Sequence, residues 1–154
     1  MKILKRIFVI LLITIIALPF ITYIGIVITN NCIANEIEKD LVSYELPSNT
    51  TLVDSISVAS KLTGSGNGMQ YMGAILVESD LSEVKLKEYY DVNFDFVEVQ
   101  KQVSPKLDFI RTIYFNAVLE PENTYYSIIC WDSNRRELLG DFITELLDFD
   151  IRGH

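Results

Sequence analysis

The stretch that decides the fold is KLTGSGNGMQYMGAILV, Lys61–Val77, where three of the chain's seven glycines fall at Gly64, Gly66 and Gly68. A phosphate-binding P-loop needs four residues between its glycines and then Gly-Lys-Ser/Thr. A dinucleotide turn needs two residues before its last glycine and a helix after it. Neither pattern is present. Met69–Val77 is instead a short apolar run, which predicts a buried strand and leaves no helix N-terminus to receive an anion. Asn67-Gly68 suits a hairpin because both residues tolerate positive φ. Gly64, Gly66, Asn67 and Gly68 thus read as a hairpin tip, with a ligand contact at that tip as the second reading.

Working outward, Thr51–Thr63 alternates Leu52, Val53, Ile56, Val58 and Leu62 with Asp54, Ser55, Ser57 and Ser60, the pattern of a strand with a bulge. After Val77, SDLSEVKLKEYYD (Ser79–Asp91) predicts a helix capped by Ser79 or Asp80, with Leu86, Tyr89 and Tyr90 inward. Phe96–Val103, Phe109–Leu119 and Thr124–Trp131 predict three more strands, punctuated by Pro105 and by EPEN at 120–123. Asn134 and Glu137 have capping-box spacing and open a helix with the stripe Leu138, Leu139, Phe142, Ile143, Leu146 and Leu147. The resulting α-β-β-α-β-β-β-α order predicts an α+β domain: one antiparallel meander of about five strands, with helices on one face.

The N-terminal part is of a different kind. Residues 1–6 hold Lys2, Lys5 and Arg6, and Ile7–Thr29 follows as 23 residues without a charge. As a helix that run spans roughly 34 Å, against about 30 Å of bilayer hydrocarbon. Pro19 is compatible with a membrane helix. The basic end favours a cytoplasmic N-terminus, a single membrane pass and an extracytoplasmic remainder. Two alternatives are a cleaved signal peptide, with Cys32-Ile33-Ala34 as the small-x-small site, and lipidation of Cys32. The first conflicts with the length of the apolar run and the second with Asn30 and Asn31 before the cysteine. Residues 30–46, with Ile33, Ile37, Leu41 and Tyr44 at helical spacing, predict an amphipathic juxtamembrane helix leading into a domain over 47–154.

All 21 acidic groups lie beyond this span, with ten of the 13 basic ones, so the remainder carries a formal charge of −11. Such a surface repels nucleic acid and anionic lipid, and permits basic proteins, peptides or cations.

Little in the chain points to catalysis. His154 is the only histidine, so a Ser-His-Asp or Cys-His arrangement would need that residue firmly held. No carboxylate pair is marked by spacing, and no cofactor motif is present. Cys32 and Cys130, the two cysteines, either bridge the juxtamembrane helix to the last strand or stay free. In LLDFDIRGH (Leu146–His154), an extended backbone would point Asp148, Asp150, Arg152 and His154 one way and Phe149 and Ile151 the other. That array is either a cation-binding cluster or a polar tail whose charges face water while Phe149 and Ile151 pack down.

The segment ELPSNTTLVDSISVASKLTGSGNGMQYMGAILVESDLSEVKLKEYY (Glu45–Tyr90), with DFDIRGH (Asp148–His154), resembles small, uncharacterised, N-terminally anchored bacterial exported proteins. The resemblance implies an extracytoplasmic α+β domain and brings no catalytic residue. The expected function is a membrane-anchored, non-enzymatic module binding a protein, a peptide or an envelope component. The alternative is an envelope metal-binding protein or hydrolase using the Asp148/Asp150/His154 end.

Overall fold

The computed structural model describes residues 2–62, 68–109, 112–132 and 139–153. The apolar run and the amphipathic stripe that follows it form one helix, α1 (Lys2–Ser43), with Pro19 inside. No residue of its most apolar 18-residue window is buried, so by length and composition α1 is a candidate membrane span. Further along, Ile26, Ile33, Ile37 and Leu41 are buried, because here α1 leaves its free section and lies on a sheet.

That sheet has four strands: β1 (Thr50–Ser60), β2 (Gln70–Ser79), β3 (Val97–Gln102) and β6 (Tyr125–Trp131). Their order is β1-β2-β6-β3, every neighbouring pair antiparallel. Helix α2 (Glu83–Tyr90) connects β2 to β3, which run in the same direction with β6 inserted between them. The expected five-strand meander is therefore corrected. Among the described residues of the predicted strand 109–119, β5 (Thr112–Tyr114) is the part that forms, and it pairs with β4 (Lys106–Asp108) in a separate ribbon.

The physical reason lies in β2 and β6. Both are apolar at consecutive positions, so each needs a strand on either edge and a layer on either face. Pairing them at the centre, with Ala74 opposite Ile129 and Ile75 opposite Ile128, satisfies both demands. On one face Tyr71, Ile75, Val77, Ile128 and Cys130 meet α1, α2 and α3 (Asp141–Leu147). On the other, Met72, Ala74, Leu76 and Ile129 meet Leu107 and Phe115 from the ribbon and its flank.

Beneath α1 the sheet is lined with small side chains. The β1 bulge between Leu52 and Asp54 brings Ser55, Ser57 and Ala59 opposite Ile75, Gly73 and Tyr71. Gly73 touches the helix backbone: a Cβ there would stand 2.7 Å from the Ile37 carbonyl carbon and 2.8 Å from Glu38 Cα. Ser55 Oγ donates to Glu38 Oε1 at 2.6 Å, fixing the same approach from the neighbouring strand.

Two helix starts also differ from expectation. Ser82, not Ser79 or Asp80, caps α2, its Oγ accepting from the Lys85 N–H. The Ser79 hydroxyl is occupied by Thr50 Oγ1 at 2.7 Å and by the Leu81 N–H at 3.1 Å. Helix α3 starts at Asp141 after Gly140, which has φ 80° and no capping side chain. Asn134, Glu137 and Leu138 lie outside the described residues. Within α3, Leu147 is buried and Leu146 partly so, but Phe142 and Ile143, expected inward, are exposed.

Candidate functional site

Two features stand where α1 enters the domain: a polar cluster that holds residues 147–152 against the helix, and a cleft between α1 and β1. The cluster is centred on Asn30. This residue sits on the same helical stripe as Ile26, Ile33, Ile37 and Leu41, so an amide is carried into the core with them. Burial makes its hydrogen bonds obligatory, and all are made. Asn30 Oδ1 accepts from the Tyr71 hydroxyl at 2.7 Å. Asn30 Nδ2 donates to the Leu147 carbonyl at 3.1 Å and to Asp150 Oδ2 at 2.9 Å.

Asp150 is fully buried. Its carboxylate accepts from Arg152 Nε at 2.9 and 3.1 Å and from Arg152 Nη2 at 2.5 Å. Arg152 continues to α1, donating from Nη1 to Asn31 Oδ1 at 3.0 Å and from Nη2 to the Val27 carbonyl at 3.5 Å. The Arg152 hydrogen bonds, helped by the Asn30 amide and opposed by burial, hold the Asp150 carboxyl down to about 2.

This arrangement inverts the expected tail. The backbone is not extended; a turn and a 3-10 segment, Ile151–Gly153, follow α3. Asp150 is inside and Arg152 half-buried, whereas Phe149 and Ile151 are 70% and 67% exposed. Asn30 supplies a buried amide on α1 to which the Asp150 carboxylate bonds. Asp148 points elsewhere, Oδ1 accepting from the Met69 N–H at 2.7 Å. The structure thus brings the Asp148 end to the start of β2, beside half-buried Gly68. Gly64, Gly66, Asn67 and His154 lie outside the described residues. Among the described residues no group of three His, Cys, Asp or Glu could hold a metal ion, and both Asp150 oxygens are committed to Arg152 and Asn30.

The second feature is a cleft of about 490 Å³ where α1 passes over the edge strand β1. Asn31, Cys32 and Asn35 line it from the helix, and Ser57 and Ala59 from the strand. β1 is the end strand of the sheet. At its bulge, Asp54 accepts from the Ser55 N–H at 2.9 Å and from the Asn116 N–H at 2.6 Å. The bridge considered between Cys32 and Cys130 is not formed. Cys32 is exposed on α1, whereas Cys130 is buried in the core of the helix-covered face. Burial, with Asp91 nearby, pushes the Cys130 thiol up to about 12, so it is protonated and inert at neutral pH.

Sequence reasoning missed Asn30, Tyr71, Asn35 and Ser57. Asn30 did leave a signal: one amide at i+4 from Ile26 and i−3 from Ile33, inside an otherwise apolar stripe. Comparisons of the chain with protein-family models, with curated proteins and with solved structures find no match.

Proposed function

We propose that the chain is a single-pass membrane protein whose span is retained, and whose extracytoplasmic domain binds an extended segment of an envelope protein without catalysing a reaction. The observation that carries the retained span is the continuity of α1 into the fold. A cut at Cys32-Ile33-Ala34 would remove Asn30, and with it the partner of Tyr71, Leu147 and Asp150. Ile26 and Ile33 would leave the core as well. A segment built into the interior in this way is a poor signal peptide. Lys2, Lys5 and Arg6 before the span favour a cytoplasmic N-terminal side.

The binding mode rests on β1. An edge strand beside a cleft offers main-chain hydrogen bonds for affinity and a pocket for alternate side chains, the terms of strand addition. The −11 charge of the part beyond the span, in which all 21 acidic groups lie, favours a basic partner segment. A photo-crosslinking residue at exposed Asn35, in intact cells, should yield a discrete adduct that Ser57→Arg abolishes. The same residue at exposed Glu83 on α2 should yield none. If Asn35 gives no adduct while the protein is folded and membrane-bound, the binding assignment is wrong.

A further inference from the structure

We propose that the turn after α3, residues 149–151, dips into the outer leaflet of the membrane, with Phe149 and Ile151 among the acyl chains and the Asp150–Arg152–Asn30 cluster at the level of the headgroups. The proposal rests on α1 being a retained span, and its observation is where this segment sits along that span. Leu146 and Phe149 form an apolar groove of about 520 Å³ with Leu18, Pro19, Tyr23 and Ile26 of α1. A hydrocarbon layer about 30 Å thick takes roughly 20 helical residues, so one that starts at Ile7 ends near residue 27. The groove therefore falls inside the hydrocarbon, in its outer half.

The alternative is that the bilayer stops short of the groove at Leu18. That would leave Ile7–Leu18 as the span, roughly 18 Å and too short to cross. Exposed Asp141 and Glu145 keep the start of α3 out of the acyl chains, and the apolar side chains at its end are the ones placed to enter them. Phe149 and Ile151 are both exposed, and beside the groove they extend its apolar surface. The groove is continuous with the uncovered face of α1, which fixes its occupant as lipid.

The charges fit the same depth. Arg152 and Asp150 are paired, and Arg152 bonds to Val27 and Asn31, at the predicted hydrocarbon edge. Tyr23 stands just inside it, where interfacial aromatic residues collect. Short apolar elements of this kind settle about 5–10 Å below the headgroup boundary.

The test is fluorescence quenching in phosphatidylcholine vesicles brominated on the acyl chains, using the full chain. Trp131 is the only tryptophan, so Trp131→Phe provides a silent background for single probes. Phe149→Trp should be quenched like Phe8→Trp in the span, and far more than Val118→Trp, which is exposed in the stretch between β5 and β6. Ile151→Trp, added with Trp131 left in place, should raise total quenching and serves if the background variant does not fold. Quenching of Phe8→Trp without quenching of Phe149→Trp or Ile151→Trp overturns the proposal and leaves the span standing. Blue-shifted but unquenched Phe149→Trp emission also overturns it, placing a second copy or another membrane helix over the groove. No quenching at Phe8→Trp would remove the span itself, and the proposal with it.

Discussion

Gly73 sets how closely α1 approaches the sheet, because its missing side chain is the space that the Ile37–Glu38 backbone occupies. The atoms an added methyl would meet belong to main chain, which cannot swing aside, so the helix must lift or the strand must bend. Gly73→Ala should therefore destabilise the protein by about 1–3 kcal/mol, the usual range for overpacking a close contact. Denaturant unfolding in non-ionic detergent would measure it. Unchanged stability would mean that α1 rides higher on the sheet than described. The glycines that first draw attention in the sequence, at 64, 66 and 68, stand in a run. Gly73, by contrast, is isolated inside an apolar strand, where a lone glycine marks close backbone approach.

At the scale of elements, the 147–152 segment is tied to α1 by polar contacts centred on Asp150, which opens it to pH. Arg152 and Asn30 hold Asp150 at about 2 in the folded protein, against about 3.9 when unfolded. Folding therefore favours the ionised form. The stabilisation is complete above pH ~4 and fades as pH falls toward the folded value, a contribution of about 2 kcal/mol. Stability should drop by that amount more in the wild type than in Asp150→Asn between pH 5 and 2. Unfolding midpoints in detergent at both pH values would show it. Identical pH slopes in the two proteins would place the stabilisation elsewhere. In the sequence the same segment reads as a polar tail or a cation site, since alternating charges normally face water. What alternation cannot convey is that Asn30, 120 positions away along the chain, offers a buried partner.

At the scale of the whole molecule, the helix–strand order was legible wherever one face of an element is wet. The β1 bulge, the Leu86/Tyr90 face of α2 and the Ile33–Leu41 stripe of α1 all follow from periodicity. Strand order was not, because β2 and β6 are apolar at nearly every position and carry no sign of which neighbour each prefers. The candidate site was legible only in part. Asp148, Asp150 and Arg152 stand out by charge, but cleft residues such as Asn35 and Ser57 are ordinary until α1 and β1 are set together.

The N-terminus of the mature protein tests most directly whether α1 is at once membrane span and core helix. Intact-mass and N-terminal peptide measurements on protein extracted from membranes should find residues 7–34 still attached. A mature chain that starts after Ala34 and is recovered without the membrane would contradict it.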